Sequence, residues 1–99
     1  MTKRCSKAEA LKIIKGIIAN GRMILSTHLK QRMREKDFDM QDVLSAIKTG
    51  NVYRKAEPHP QSGRWIYPVE GKTIDGQKLR VEINIGDDRK HVVILTGIK

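Results

Sequence analysis

His28 and Arg32 stand four residues apart in a segment that predicts a helix, so their side chains are expected on one helix face. A histidine exchanges a proton near neutral pH, and a guanidinium group can hold a phosphate through two hydrogen bonds. The pair therefore predicts a half-site for phosphodiester chemistry. A structural alternative stays open, in which His28 makes only helix-terminal hydrogen bonds and Arg32 pairs with Glu35 or Asp42.

Acid–base cleavage of a phosphodiester needs a second group that transfers a proton. His91 opens a predicted strand after two basic residues and is one candidate. Tyr67 is another, because its hydroxyl can meet a phosphate, and Trp65 is expected on the same strand face. Aromatic side chains among cations are typical of proteins that bind single-stranded RNA, although Trp65 can equally serve as a core anchor. His59 lies between two prolines and is expected to be an exposed loop residue.

The charge of the chain favours polyanionic partners. Its 20 Lys and Arg residues against 11 Asp and Glu give a net charge of +9. Nucleic acid is the expected partner, and an anionic membrane surface is the competing one. The residues predicted to contact nucleic acid are Lys30, Arg34, Lys36, Arg54, Lys55, Arg64, Arg89 and Lys90.

The apolar runs, the cysteine count and the motifs of the sequence exclude several classes of protein. The longest apolar runs have about four residues, as in 92–95, which is too short to span a bilayer. No apolar segment follows the first positive charges, so no signal peptide is expected and the predicted location is the cytoplasm. Cys5 is the sole cysteine, expected on a frayed end, and rules out an internal disulfide. No metal-binding or cofactor motif is visible, so neither group is expected.

The hydrophobic pattern changes from a helical period to alternation near Gly50, which predicts helices first and strands afterwards. Helices are expected over 7–20, from Ser26 or Thr27 to about 36, and from an Asp39 cap to Gly50. Gly21 is expected in a left-handed conformation at the end of the first helix. Strands are expected over 52–55, 64–70, 78–85 and 91–98, with a hairpin turn at Asp75-Gly76.

These elements predict one α+β domain over residues 1–99. Its N-terminal helices pack on one face of a three- to four-stranded antiparallel sheet, the face that carries Leu79. The opposite face stays wet and presents Arg80, which joins the candidate catalytic residues. The alternative for Arg80 is a cross-strand pair with a nearby carboxylate.

The segment 26–36 places a histidine four and five residues before an Arg-Met pair. A capped helix of the type D-V-x-x-A-I-x-x-G follows. Together with the strands around 79–81 and 92–96, this pattern resembles a bacterial family of uncharacterised small domains. That family is similar to the ribonuclease toxins of the RelE/MqsR-like fold. The resemblance covers residues 24–98 and leaves the N-terminal helix, within 1–22, outside.

The resemblance implies a compact α+β domain with its site on the sheet and RNA as substrate. It implies cleavage by the 2′-hydroxyl without a metal ion, and an acidic antitoxin protein as partner. Among the polar residues of the pattern, His28 and Arg32 match. The resemblance does not cover the other candidate catalytic residues. Expected strand face and charge alone suggest Arg80, Tyr67 and His91.

The leading hypothesis is a toxin-like endoribonuclease. His28 or His91 takes the proton from the ribose 2′-hydroxyl, and Arg32 and Arg80 stabilise the charge that builds on the phosphate. Tyr67 or the other histidine protonates the leaving oxygen. The alternatives are a non-catalytic module that binds nucleic acid and a module that binds an antitoxin-like partner.

Overall fold

The computed structural model describes residues 4–99, so residues 1–3 of the predicted domain and of its N-terminal segment lie outside the description. The helices are α1 (Lys7–Asn20), α2 (Thr27–Lys36) and α3 (Met40–Thr49). The strands are β1 (Arg22–Leu25), β2 (Glu57–Pro58), β3 (Trp65–Lys72), β4 (Lys78–Ile85) and β5 (His91–Ile98). They form one sheet in the order β1-β5-β4-β3-β2.

The α+β class is confirmed, but the predicted three- to four-stranded antiparallel sheet is wrong. The sheet is mixed and has five strands, because β1 pairs parallel to β5 and every other pair is antiparallel. The predicted strand over 52–55 is also wrong. In its place Asn51 forms an isolated bridge to Glu70, and the short strand β2 lies slightly further along the chain.

Polar side chains at the helix starts explain where the helices begin. The Ser6 hydroxyl accepts a hydrogen bond from the backbone N–H of Glu9, which confirms the predicted cap of α1. At α3, Asp39 and Asp42 each accept the backbone N–H of the other in a reciprocal capping box. Gly21 is extended rather than left-handed, because the chain runs straight from α1 into β1.

The three helices cover one face of the sheet and enclose the core. Leu79, Val81 and Ile83 of β4 point into it and are fully buried or nearly so. Gly71 allows α3 to approach β3, since a Cβ atom at this position would collide with the backbone carbonyl of Ala46. The close contact fixes α3 against the end of the sheet where the β3–β4 hairpin turns.

The outer edge of β5 is covered by two successive elements. β1 pairs with its first half, from His91 to Ile94. The start of α2 covers the second half: the Ser26 hydroxyl donates to the carbonyl of Leu95 at 2.6 Å. Nε of Arg32 donates to the carbonyl of Gly97 at 3.2 Å. Arg32 therefore holds helix α2 against the sheet.

The sheet face away from the helices, here called the open face, carries most of the charged strand residues. Alternation along β4 places Lys78, Arg80 and Glu82 on it. The register sets Lys72 opposite Lys78 and Glu70 opposite Arg80 on the neighbouring strand β3. On the other side, Thr96 lies opposite Glu82 and Ile98 opposite Arg80.

Candidate functional site

A cavity of about 680 Å³ lies at the end of the open face near the β3–β4 hairpin. It is lined by residues of β3 and β4, by Ile98 and Lys99, and by residues at the end of α3 and in the loop that follows. The side chains that bring chemistry to it are Tyr53, Glu70, Lys72, Lys78, Arg80 and Lys99. These six residues define what we call the basic hollow.

Lys72 and Lys78 concentrate positive charge at the rim of the basic hollow. They face each other across the β3–β4 ladder, an arrangement of like charges that destabilises a sheet. The hairpin turn enforces this register, with the N–H of Thr73 bonded to the carbonyl of Gln77 and Gly76 at a φ of +85°. Within residues 4–99 neither ammonium group has a carboxylate within ion-pair distance. The uncompensated charge favours binding of an anion.

Arg80 lies at the inner side of the basic hollow and also borders a second cavity of about 210 Å³ with Arg54 and Lys55. Its side chain is 26% exposed, and its Nε lies 3.8 Å from the nearest carboxylate oxygen, on Glu82. Nε is itself buried and has no hydrogen-bond partner in the described chain; the same holds for the hydroxyl of Thr96. Buried polar atoms in native proteins nearly always have hydrogen-bond partners, so the pairing of these two groups is incomplete.

The carboxylate of Glu70 is the acidic group of the basic hollow. It is 30% exposed, and its Oε1 lies 3.4 Å from Nε of Arg54, which is itself well exposed. Such an exposed ion pair contributes little to stability. Arg54 is the one cation within ion-pair distance of this carboxylate among residues 4–99, and the carboxylate also lines the basic hollow.

His28 and Arg32 lie on α2, beside the outer edge of β5. His28 is exposed and forms no hydrogen bond within the described part of the chain. Arg32 contacts the carbonyl of Gly97, and the next residue, Ile98, lines the basic hollow. Strand β5 therefore separates Arg32 from Arg80. The alternative partners of Arg32 are engaged elsewhere, since Glu35 accepts from Gln31 and Asp42 caps α3.

His91 lies at the other end of β5 from the basic hollow. The eight-residue strand puts about 20 Å between His91 and Ile98. Its Nδ1 is 2.9 Å from Oδ1 of Asp88, and its ring packs against Gly86. The hydrogen bond from the N–H of Lys90, together with the neighbouring His91, lowers the pKa of the Asp88 carboxyl. The structure does not bring His91 together with His28 or Arg80.

Tyr67 points into the core and is 3% exposed. Its hydroxyl accepts a hydrogen bond from the backbone N–H of Cys5 at 2.9 Å, and burial raises the pKa of this hydroxyl. Tyr67 therefore belongs to the helix-covered face, and its placement does not favour the predicted contact with RNA. Cys5 is buried beside it, so the expectation of a frayed end is wrong. Trp65 packs against the edge of the core, under the Arg4 guanidinium at 5.4 Å.

The basic residues predicted from charge runs fall into two groups. Arg54 and Lys55 line the second cavity next to Arg80. The others lie on α2 or around the starts of β3 and β5: Lys30, Arg34, Lys36, Arg64, Arg89 and Lys90. Of these, Arg64 is 3.7 Å from the Asp87 carboxylate and Arg89 is 3.8 Å from the Cys5 sulfur. The predicted contacts therefore do not form one surface.

Sequence analysis missed five residues of the basic hollow: Tyr53, Glu70, Lys72, Lys78 and Lys99. For the two strand lysines a signal was present: the Asp75-Gly76 turn sets the register, and alternation then places them opposite each other on the face of Arg80. No sequence signal brings Tyr53 or Lys99 to the same cavity, because both arrive through the packing of distant segments. Lys99 is positioned by its ammonium group, which donates to the Asp37 carbonyl at 3.3 Å.

Within residues 4–99, no three His, Cys, Asp or Glu side chains come close enough together to hold a metal ion. No helix in this range combines the length and the apolar character needed to cross a membrane.

The fold and the site define a small α+β domain with a charged open sheet face. Residues 25–96 match the family model described as a domain of unknown function, DUF4258, and the chain belongs to this family. The match includes His28, Arg32 and the strands of the basic hollow, and it leaves α1 outside. Comparisons with curated proteins and with solved structures gave no match. The likeness to RelE/MqsR-like toxins therefore stays a prediction.

Proposed function

We propose that this domain is an endoribonuclease that binds RNA along the open face and cleaves it through the ribose 2′-hydroxyl. The net charge of +9 and the lysines of the basic hollow favour a polyanion. His28 and Arg32 beside strand β5 supply the groups for acid–base chemistry next to this surface. An acidic antitoxin-like protein is the partner that the same charge would attract.

The observation that carries the proposal is the incomplete pairing of Arg80. Its Nε is buried without a hydrogen bond and lies 3.8 Å from the Glu82 carboxylate, while the side chain is still 26% exposed and lines the basic hollow. A phosphate oxygen is a fitting acceptor, because guanidinium and phosphate groups form paired, charge-assisted hydrogen bonds. The same group would stabilise the extra negative charge of a pentacoordinate phosphorus during cleavage.

The proposed reaction uses side chains of this chain and water. The imidazole of His28 takes the proton from the 2′-hydroxyl, and the 2′-oxygen attacks the adjacent phosphorus. Arg80 holds the phosphate oxygens while the bond to the 5′-oxygen breaks, and Arg32 adds positive charge from the other side of β5. The leaving 5′-oxygen takes a proton from water, since Tyr67 is buried and His91 lies at the far end of β5. The products are a 2′,3′-cyclic phosphate and a 5′-hydroxyl.

The direct test is cleavage of a labelled RNA by the purified protein in the presence of a chelator. Replacing the 2′-hydroxyl by hydrogen at the cut site should abolish cleavage there, while cuts elsewhere continue. Mass spectrometry should find the 2′,3′-cyclic phosphate end. Cleavage of the deoxy-substituted site, or a dependence on added metal ions, would contradict the mechanism.

A second test separates turnover from binding. We expect His28→Ala to lose cleavage and to keep its affinity for RNA, because His28 lies on α2 and does not line the basic hollow whose cations carry the binding. His59→Ala is the matched control, since His59 lies in the loop before β3 and touches only its own turn. Equal cleavage by the His28 variant and the wild type would exclude His28 as the base.

The second candidate function is RNA binding without cleavage. It is favoured by one observation: within residues 4–99 neither His91 nor Tyr67 stands beside His28 as a second proton-transfer group. A pure binding module would hold RNA with a salt-dependent affinity and show no turnover under any condition. The cleavage assay decides between the two functions.

A further inference from the structure

We infer that the basic hollow receives one unpaired nucleobase of the RNA and prefers guanine, with Tyr53 as the stacking platform and Glu70 as the reader of the base edge. The inference rests on the proposed function, because it names the part of the RNA that this site recognises. A binding site for a base would add recognition of the RNA sequence to a surface whose other proposed contacts depend on charge.

Tyr53 is exposed yet held in place. Its side chain is 61% exposed at the rim of the basic hollow. Its hydroxyl accepts a hydrogen bond from Nδ2 of Asn51 at 3.2 Å, and its carbonyl accepts one from the ammonium group of Lys7 at 2.9 Å. An exposed, oriented aromatic ring next to cations is what proteins use to stack unpaired bases.

Glu70 lies in the same cavity as Tyr53 for a structural reason. Asn51 and Glu70 exchange two backbone hydrogen bonds of 3.0 Å, which tie the loop carrying Tyr53 to strand β3. The bridge fixes the backbone that carries the carboxylate next to the loop that carries the ring. Backbone positions that are set before a ligand arrives lower the cost of binding.

The chemistry of a carboxylate selects among bases. An ionised Glu70 can only accept hydrogen bonds; its Oε1 lies 3.4 Å from Nε of the exposed Arg54, an ion pair that a base edge would share or displace. The Watson–Crick edge of guanine presents two adjacent donors, N1–H and the N2 amino group, which match the two oxygens of a carboxylate. Adenine presents the unprotonated N1, an acceptor that a carboxylate repels. Glu70 should therefore favour guanine over adenine.

The cations around the cavity complete the site. Lys72 and Lys78 lie at the rim, where the phosphates that flank a bound base would pass. The cavity of about 680 Å³ falls in the usual size range of small-ligand sites. The arrangement thus offers an aromatic face, an acceptor and cationic groups, which are the three features that a nucleotide needs.

Another role for Glu70 is to balance the charge of Arg54 and Arg80, and substitution separates the two roles. Glu70→Gln removes the negative charge under either role. Loss of mere charge balance should raise the affinity for every RNA by the same factor. Loss of a base reader should instead change the ratio between RNAs that differ in one base. Glu82→Gln is the matched control, because Glu82 lies on the same face outside the basic hollow.

The experiment measures dissociation constants for two labelled pentanucleotides, AAGAA and AAAAA, with 2′-O-methyl groups to prevent cleavage. We expect the wild type to bind the guanine-containing strand about tenfold more tightly, a difference typical of one well-paired base edge. Glu70→Gln should remove the preference and Glu82→Gln should retain it. Tyr53→Leu should weaken binding of both strands about tenfold, because it removes the aromatic face on which the base stacks.

Each outcome bears on one of the two proposals. Equal binding of both strands by the wild type, or an unchanged preference in Glu70→Gln, overturns the guanine inference and leaves RNA binding standing. If the wild-type protein binds neither strand although circular dichroism shows it to be folded, the proposed function itself is overturned. Guanosine monophosphate serves as a separate probe: tight binding of it without binding of the pentanucleotides would overturn RNA as the source of the base.

Discussion

The two faces of the sheet differ although the same strands build both. Along β4, Leu79, Val81 and Ile83 are buried under the helices, while Arg80 and Glu82 alternate with them on the open face and remain partly exposed. One face supplies apolar burial, and the other holds charged groups whose partners are incomplete. The difference teaches that stability and ligand binding can be changed separately within a single strand.

The strongest expected effect lies on the helix-covered face. Ile83→Ala should lower the free energy of unfolding by about 2–5 kcal/mol, because it removes a fully buried side chain and leaves a cavity. Urea denaturation followed by the fluorescence of Trp65 measures this change. RNA affinity of the protein that remains folded should not change. A loss below about 1 kcal/mol would show that the two faces differ less than their burial indicates.

On the open face, Arg80→Gln should act on cleavage instead of stability. We expect the cleavage rate to fall about 100-fold, as when one donor to a developing charge is removed. The free energy of unfolding should change little, since the ion pair lost with Glu82 is long at 3.8 Å and Nε forms no hydrogen bond. Arg34→Gln, at an exposed position on α2, is the control. Equal cleavage rates in the Arg80→Gln and Arg34→Gln variants would show that Arg80 has no specific role in cleavage.

Tyr67→Phe tests a residue whose placement differs from its predicted role. The variant removes the acceptor of the Cys5 N–H, so the free energy of unfolding should fall by about 1–3 kcal/mol. Cleavage should remain unchanged. Burial raises the pKa of Tyr67 in the folded protein, so the wild type should lose stability as the pH rises above about 10, and the variant should lose less. A large loss of cleavage without a change in the free energy of unfolding would show that Tyr67 takes part in cleavage.

Lys78→Ala should have a smaller effect, which appears in the salt dependence of the affinity for RNA. A lysine that contacts one phosphate of single-stranded RNA contributes about 0.7 to the slope of log affinity against log salt concentration. We therefore expect the slope to decrease by about that amount, with no loss of stability. Fluorescence anisotropy at several salt concentrations measures the slope. Lys30→Ala on α2 is the charge-matched control and should leave it unchanged.

The smallest effect concerns Asp88, far from the basic hollow. Its pKa is lower in the folded chain, so the ionised carboxylate stabilises the fold above about pH 4 and this contribution is lost as the pH falls further. Asp88→Asn should be slightly less stable than the wild type at pH 7 and equally stable near pH 2. Urea midpoints at the two pH values test this. An equal difference at both would assign the effect to something other than the charge.

Local patterns predicted the elements that are long and regular. The bounds of α1, β4 and β5 agree with the predicted ranges, because each combines a clear period with a cap or a turn residue. Strand β1 was missed since its four residues are too few to show alternation, and its pairing with β5 depends on contacts about seventy residues away. The mixed topology follows from this one missed strand.

The candidate site was predicted only in part, for a related reason. Alternation placed Arg80 opposite the core, and helix spacing placed His28 with Arg32. The same reasoning put Trp65 and Tyr67 on one face but could not tell which face the helices would cover. The loop that carries Tyr53 is positioned by the bridge between Asn51 and Glu70, a long-range contact with no local signal.

The hydrogen bonds from Ser26 and Arg32 to the outer carbonyls of β5 also restrict how copies of this protein can associate. A foreign strand cannot extend the sheet along that half of β5 unless α2 first moves away. Among residues 4–99, the opposite edge is less protected, because β2 pairs only with Trp65 and Ile66 of β3 and Asn51 bridges only Glu70. Strand addition, the route to amyloid-like growth, is therefore opposed along half of β5 and less restricted along β3.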